Sequence, residues 1–212
     1  MKKINAAGLA AGAAALGAGA AVSYMKLLRP WHLGWGATEE ERLAPLPGDE
    51  LTPEPLETAT HAVTINTPAE RVWPWLVQIG QDKGGFYSYA WLENLVGCRM
   101  KNADRVVPEF QGLKVGDGVR LHPKVPPLPV LICEPCETLV LGSNTESPGT
   151  WGFYLRRIDG QTTRLVVRGR GQLRPGLLNW LFQHVLFEPA HFVMERKMML
   201  NVKERAEAAL LN

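Results

Sequence analysis

Glu188, His191 and Glu195 stand at i, i+3 and i+7 in a stretch of helical period. One imidazole can therefore reach a carboxylate on either side of it. A carboxylate-paired histidine on an apolar face can act as a general base, or can orient one polar atom of a bound molecule. The plain alternative is a buried histidine satisfied by its neighbour, with Glu195 in solvent. Three such groups, with His122 distant in sequence, are too few for a metal centre, and no metal or other cofactor is expected. A second cluster, Phe86, Tyr87, Tyr89 and Trp91, follows the flexible pair Gly84–Gly85. Aromatics so placed suit a gate over an apolar ligand, and equally suit packing of a helix on a sheet edge. Cys133-Glu-Pro-Cys136 is a CxxC, but it falls in an expected hairpin turn rather than at a helix start, and no second pair accompanies it, so neither redox nor zinc chemistry is expected. No phosphate loop, dinucleotide fingerprint, nucleophile elbow or HExxH occurs.

The elements that must position these residues are partly written in the period. His61, Val63 and Ile65 alternate with Ala62 and Thr64, as in a half-buried strand. Thr67, Pro68 and Glu70 then spell a capping box opening a helix over 68–79, with Pro74 inside it. A second helical pattern covers 89–96. Strands are expected at 118–122, 130–133, 138–141, 150–158 and 162–169, the last two joined by Asp159–Gly160. The end, 177–211, is helical, interrupted by Pro189. One antiparallel sheet crossed by a long closing helix is an α+β arrangement.

The chain has 212 residues, 46% hydrophobic, with a net charge of +2 and seven tryptophans. That suffices for one sizeable core. The charge is mild and no long basic run exists, so nucleic acid is not an expected partner. Lys2 and Lys3 precede an uncharged run of Ala, Gly, Leu and Val up to Val22. This reads as an uncleaved membrane anchor flanked by Lys26, Arg29, Trp31 and Trp35, or as a cleavable secretory signal leaving a secreted or periplasmic protein. The expected division is therefore 1–29 hydrophobic segment, 30–57 linker and 58–212 folded domain. The span 36–58, with four prolines and seven acidic residues, reads as an extended tether.

TINTPAERVWPWLVQIG, GGFYSYAWLENLVG, LKVGDGVRL, the hairpin WGFYLRRIDGQTTRLVVRGRG and the helix EPAHFVMERKMMLNVKERAE together resemble the START-type helix-grip superfamily, SRPBCC, and within it the bacterial polyketide cyclase/dehydrase and lipid transport group. The resemblance spans about residues 58–210. It implies a curved antiparallel sheet gripping a long C-terminal helix around an apolar cavity. Trp151, Phe153 and Val167 would then form the cavity floor. His191, Met194 and Met198 would look in from the helix, and Tyr87, Tyr89 and Trp91 would lie at the mouth. The opposite sheet face would carry Tyr154, Arg156, Arg164, Arg168 and Arg170, either to meet anionic headgroups or simply as a solvated face. Three functions fit: binding or transport of a lipid or other apolar molecule; an enzyme of the cyclase, dehydratase or hydrolase kind with His191 as base and Tyr87 or Tyr89 polarising a carbonyl; and an envelope protein with a filled core.

Overall fold

The computed structural model describes residues 17, 19, 22–143, 149–172 and 176–208. The hydrophobic alternation produces six strands: β1 (Glu57–Ile65), β2 (Gly118–Val119), β3 (Leu128–Glu134), β4 (Thr138–Gly142), β5 (Gly149–Arg157) and β6 (Thr163–Gly171). They form one antiparallel sheet in the order β1-β6-β5-β4-β3-β2. The β5–β6 turn closes where expected, with the Ile158 amide on the Thr162 carbonyl and the Asp159 carboxylate accepting from the Gln161 amide.

Among the described residues six complete α-helices accompany the sheet. α1 (Arg29–Leu33) follows a π-helical turn, Tyr24–Leu28; α2 is Glu39–Leu43, α3 Ala69–Val77 and α4 Ala90–Leu95. α5 (Leu177–Leu181) runs through a second π-helical segment, Phe182–Phe187, into the long α6 (Glu188–Ala208). Pro189 explains that segment. It lacks the N–H that a π turn would aim at the His184 carbonyl. The Tyr24 hydroxyl donates to that carbonyl instead, at 2.9 Å.

The inner face of the sheet carries Ile65, Leu139, Phe153, Leu165 and Val167, packed against Leu76 of α3 and Met198, Met199 and Val202 of α6. The expected capping box does not close. α3 begins after Pro68, the Thr67 hydroxyl is buried without a partner, and Glu70 pairs with Arg157 across the β5–β6 turn.

The Pro/acidic stretch expected as an extended tether is a strap laid on the outer face. Its helix α2 is closed by a true capping box between Thr38 and Glu41. Arg168 is only 2% exposed. Its five N–H donors meet Thr60 Oγ1, Asp49 Oδ2 and the carbonyls of Ala44, Glu41 and Arg42. Arg164 grips the Glu41 carboxylate with two bonds, at 2.7 and 2.8 Å, and Arg170 reaches Asp49 and the Thr52 carbonyl. Arg164, Arg168 and Arg170 thus turn to the chain's own acidic segment rather than to headgroups or bulk solvent, while Arg156 is exposed. Gly36 lets the strap cross β1: its φ is +72°, and a Cβ there would come within 2.1 Å of the Ala62 carbonyl oxygen.

The expected anchor, up to Val22, lies outside the described residues apart from Gly17, Gly19 and Val22. Among the described residues no helix is long and apolar enough to cross a membrane.

Candidate functional site

The inward period of β1 places His61 opposite Val167 of β6, on the face that α6 covers. Its Nε2 lies 2.7 Å from the His32 carbonyl oxygen and its Nδ1 2.8 Å from Glu195 Oε1. A carbonyl only accepts, so Nε2 carries a hydrogen. Burial opposes charge on His61, but the hydrogen bond and charge of Glu195, with the His32 carbonyl, outweigh it and raise its pKa. Burial likewise opposes charge on Glu195, which is 4% exposed, and is outweighed by the His61 hydrogen bond and the charges of His191 and His61, with a further bond from Trp151. Its pKa is lowered. The pair is therefore a buried imidazolium–carboxylate pair.

Glu195 Oε2 accepts from Trp151 Nε1 at 3.1 Å and stands 3.6 Å from His191 Nε2. The expected His191–Glu195 pairing is present, but the principal partner of Glu195 is His61. The His191 side chain keeps 41% of its surface open. Its ring stacks on Phe187 with centroids 5.6 Å apart and meets Trp151 edge-on at 6.2 Å. Phe86 lies 6.1 Å beyond Trp151. The start of β5 and the first turns of α6 thus form a half-open aromatic mouth, with Met194 half-buried beside it and an ionised carboxylate at the back.

Glu188, on the preceding turns, turns away from His191. It accepts from Arg29 at 2.9 Å and faces His32 Nε2 at 3.2 Å and His184 Nδ1 at 3.3 Å. Glu57 joins the same group through Arg29 and His184. Burial lowers the His32 pKa, with the Glu188 charge opposing. Glu57, His184 and Glu188 present three ligand atoms within 4.8 Å of one another. The Arg29 guanidinium already bonds both carboxylates, so it supplies the positive charge that a cation would bring.

The other sequence candidates separate. Phe153, Val167 and Met198 are buried in the core cluster between sheet and helix. Tyr87 is fully buried: its hydroxyl accepts from Gln78 Nε2 and donates to the Trp75 carbonyl, and burial pushes its pKa up to about 12. The Ser88 hydroxyl donates to the Met194 carbonyl and Asn201 donates to the Tyr87 carbonyl, which pins this loop to α6 instead of leaving it a gate. Tyr89 is the half-buried residue ahead of α4, and Trp91 is 65% exposed on that helix. Cys133 and Cys136 are free, and burial raises both thiol pKa values. A separate open cleft of about 400 Å³ lies on the outer face, between Pro45–Pro47 of the strap and Tyr154, Arg156 and Arg157 of β5.

His61, His32, His184, Arg29 and Glu57 were not among the sequence candidates. His61 carried a signal: an imidazole at an inward position of a strand must find a buried partner.

A sheet in this order, closed by one long helix across its inner face, decides the architecture. It is the helix-grip fold. No protein-family model and no curated protein matches the chain. Among solved structures, a hypothetical protein of Helicobacter pylori, jhp0584, aligns with TM-score 0.50 and 11% identity, covering 80% of this chain and 99% of its own. Protein BH1534 of Bacillus halodurans aligns with TM-score 0.44 and 16% identity over 72% of this chain and 99% of its own. The Zhui aromatase/cyclase of a Streptomyces species aligns with TM-score 0.33 and 14% identity over 73% and 95%. At 11% identity the jhp0584 alignment speaks for fold and not for activity.

Proposed function

We propose that the protein binds an apolar small molecule carrying one polar end at the mouth of the grip. The apolar part lies between Trp151, Phe187 and Met194, and His191 meets the polar end. The observation that supports this reading is the pairing of a buried, ionised Glu195 with a half-exposed His191, ringed by aromatic side chains. Ligand sites combine mostly apolar walls with a few fixed polar groups in this way. Because the His191 side chain keeps 41% of its surface open, the ligand in this reading is shallow and partly exposed.

The same pair favours a second reading. An imidazole 3.6 Å from an ionised carboxylate can take a proton while the carboxylate stabilises the resulting charge.

One experiment serves both readings. The full chain is purified natively and extracted with organic solvent, and the extract is examined by mass spectrometry. A retained apolar molecule that is lost from Trp151→Ala supports binding. Consistently empty protein from several hosts would sink a tight carrier. With the extracted compound as substrate, His191→Ala should keep most binding; loss of turnover by about 10²–10⁴-fold would mark an enzyme.

A further inference from the structure

The two helical segments that lie beside one another at the entrance to α6 are inside out. Residues 22–31 and 177–187 turn their polar groups toward each other: Tyr24, Arg29 and His32 meet His184 and Glu188. Their apolar side chains point outward. Leu27, Leu28 and Trp31 are exposed on the first; Leu178, Phe182 and Leu186 on the second, with Leu27 70% and Leu178 81% exposed. In water this polarity is backward, and monomeric soluble proteins rarely expose so continuous an apolar face. In hydrocarbon it is the required arrangement, with ionisable groups facing the protein interior and paired there.

We infer that this face docks into a lipid bilayer. Two further observations select lipid as the occupant. The first segment is preceded in sequence by a stretch, residues 4–22, with no charged side chain. The outward side chains of both segments include one charge, Lys26, and the first segment also exposes Trp31. Lysine and tryptophan are the residue types that sit at a headgroup boundary. Leu177–Phe187 is eleven helical residues, roughly 16 Å long, against a hydrocarbon core of about 30 Å. The segment therefore embeds in one leaflet without crossing. Phe187 belongs both to this face and to the mouth, so the docked protein presents its mouth to the acyl chains. That last consequence rests on the proposed function; the docking does not.

Hydroxyl-radical footprinting of the unmodified full chain tests the docking, with and without phosphatidylcholine vesicles containing a minority of phosphatidylglycerol. Peptide mass spectrometry reads oxidation at Trp31, Trp180, Phe182 and Phe187, with exposed Trp91 as the control. Vesicles should suppress oxidation at the first four and leave Trp91 unchanged. The double variant Phe182→Glu/Val185→Glu, at exposed positions, should lose the protection of Trp180 and Phe187 while keeping its melting temperature. Vesicle-bound protein with Trp180 and Phe182 still oxidised would overturn the inference, since the preceding apolar stretch would then be the whole attachment. Protection already complete without vesicles would also overturn it, in favour of a second copy or another part of the chain as the cover.

Discussion

The His61–Glu195 pair shows how the site and the stability of the molecule depend on the same atoms. Breaking a buried pair by removing one partner costs about 3–5 kcal/mol, so Glu195→Ala should lose about that much in urea unfolding. In Glu195→Gln the charge that outweighs burial is gone. The His61 pKa, followed by NMR, should then fall from above the ordinary 6.5 to below it. The pH dependence has a definite sign. A histidine with a raised folded pKa contributes fully below the unfolded value and loses that contribution as pH rises through the folded value; a carboxylate with a lowered pKa contributes above its unfolded value and loses that as pH falls. The advantage of the native protein over Glu195→Gln should therefore be greatest between the ordinary values of 4.5 and 6.5. It should shrink toward alkaline pH. His32, with its pKa lowered by burial, acts the other way on acidification in both proteins, so it cancels in the comparison.

Among the elements, the strap and the arginine row depend on one another. Arg168→Ala would leave the carbonyls of Glu41, Arg42 and Ala44 without their guanidinium donor and Asp49 with Arg170 as its remaining arginine, and limited trypsin digestion should then cut after Arg42 much faster than in the native protein. Arg168→Lys should rescue only part of this, because three donors replace five. Both halves of this contact were legible in the sequence: seven acidic residues in one stretch, and a row of outward arginines on β5 and β6. Read separately, each looked solvated, because nothing in the local period links residues more than a hundred positions apart. The same limit applied to His61. Its inward position was legible, but its partner lies 134 residues on. The strands, the β5–β6 turn and the long helix were legible because each rests on local alternation or turn chemistry. The capping box at Thr67 failed because the Thr67 carbonyl is held by Thr163 from β6, a tertiary contact that overrides the local preference. The inner sheet residues were correctly placed as facing the helix, but period cannot tell a lined cavity from a filled one. Phe153→Ala should cost about 3–5 kcal/mol by urea unfolding, as expected of a side chain that fills space.

At the scale of the whole molecule, the two ends of the chain meet. Arg29 bonds Glu188 across 159 positions, and Glu57 pairs with Gly171 at one edge of the sheet. The first strand has no strand partner until β6 exists, and Arg29 has no Glu188 to bond until the closing helix exists. At roughly 5–20 residues per second of synthesis, the more than one hundred residues between β1 and β6 keep the first strand waiting on the order of ten seconds. Sheet closure is thus a late event that waits for β6. A chain cut short before Thr163 would hold the acidic strap and an unpaired first strand, with no β6 arginines to receive the one and no neighbour for the other.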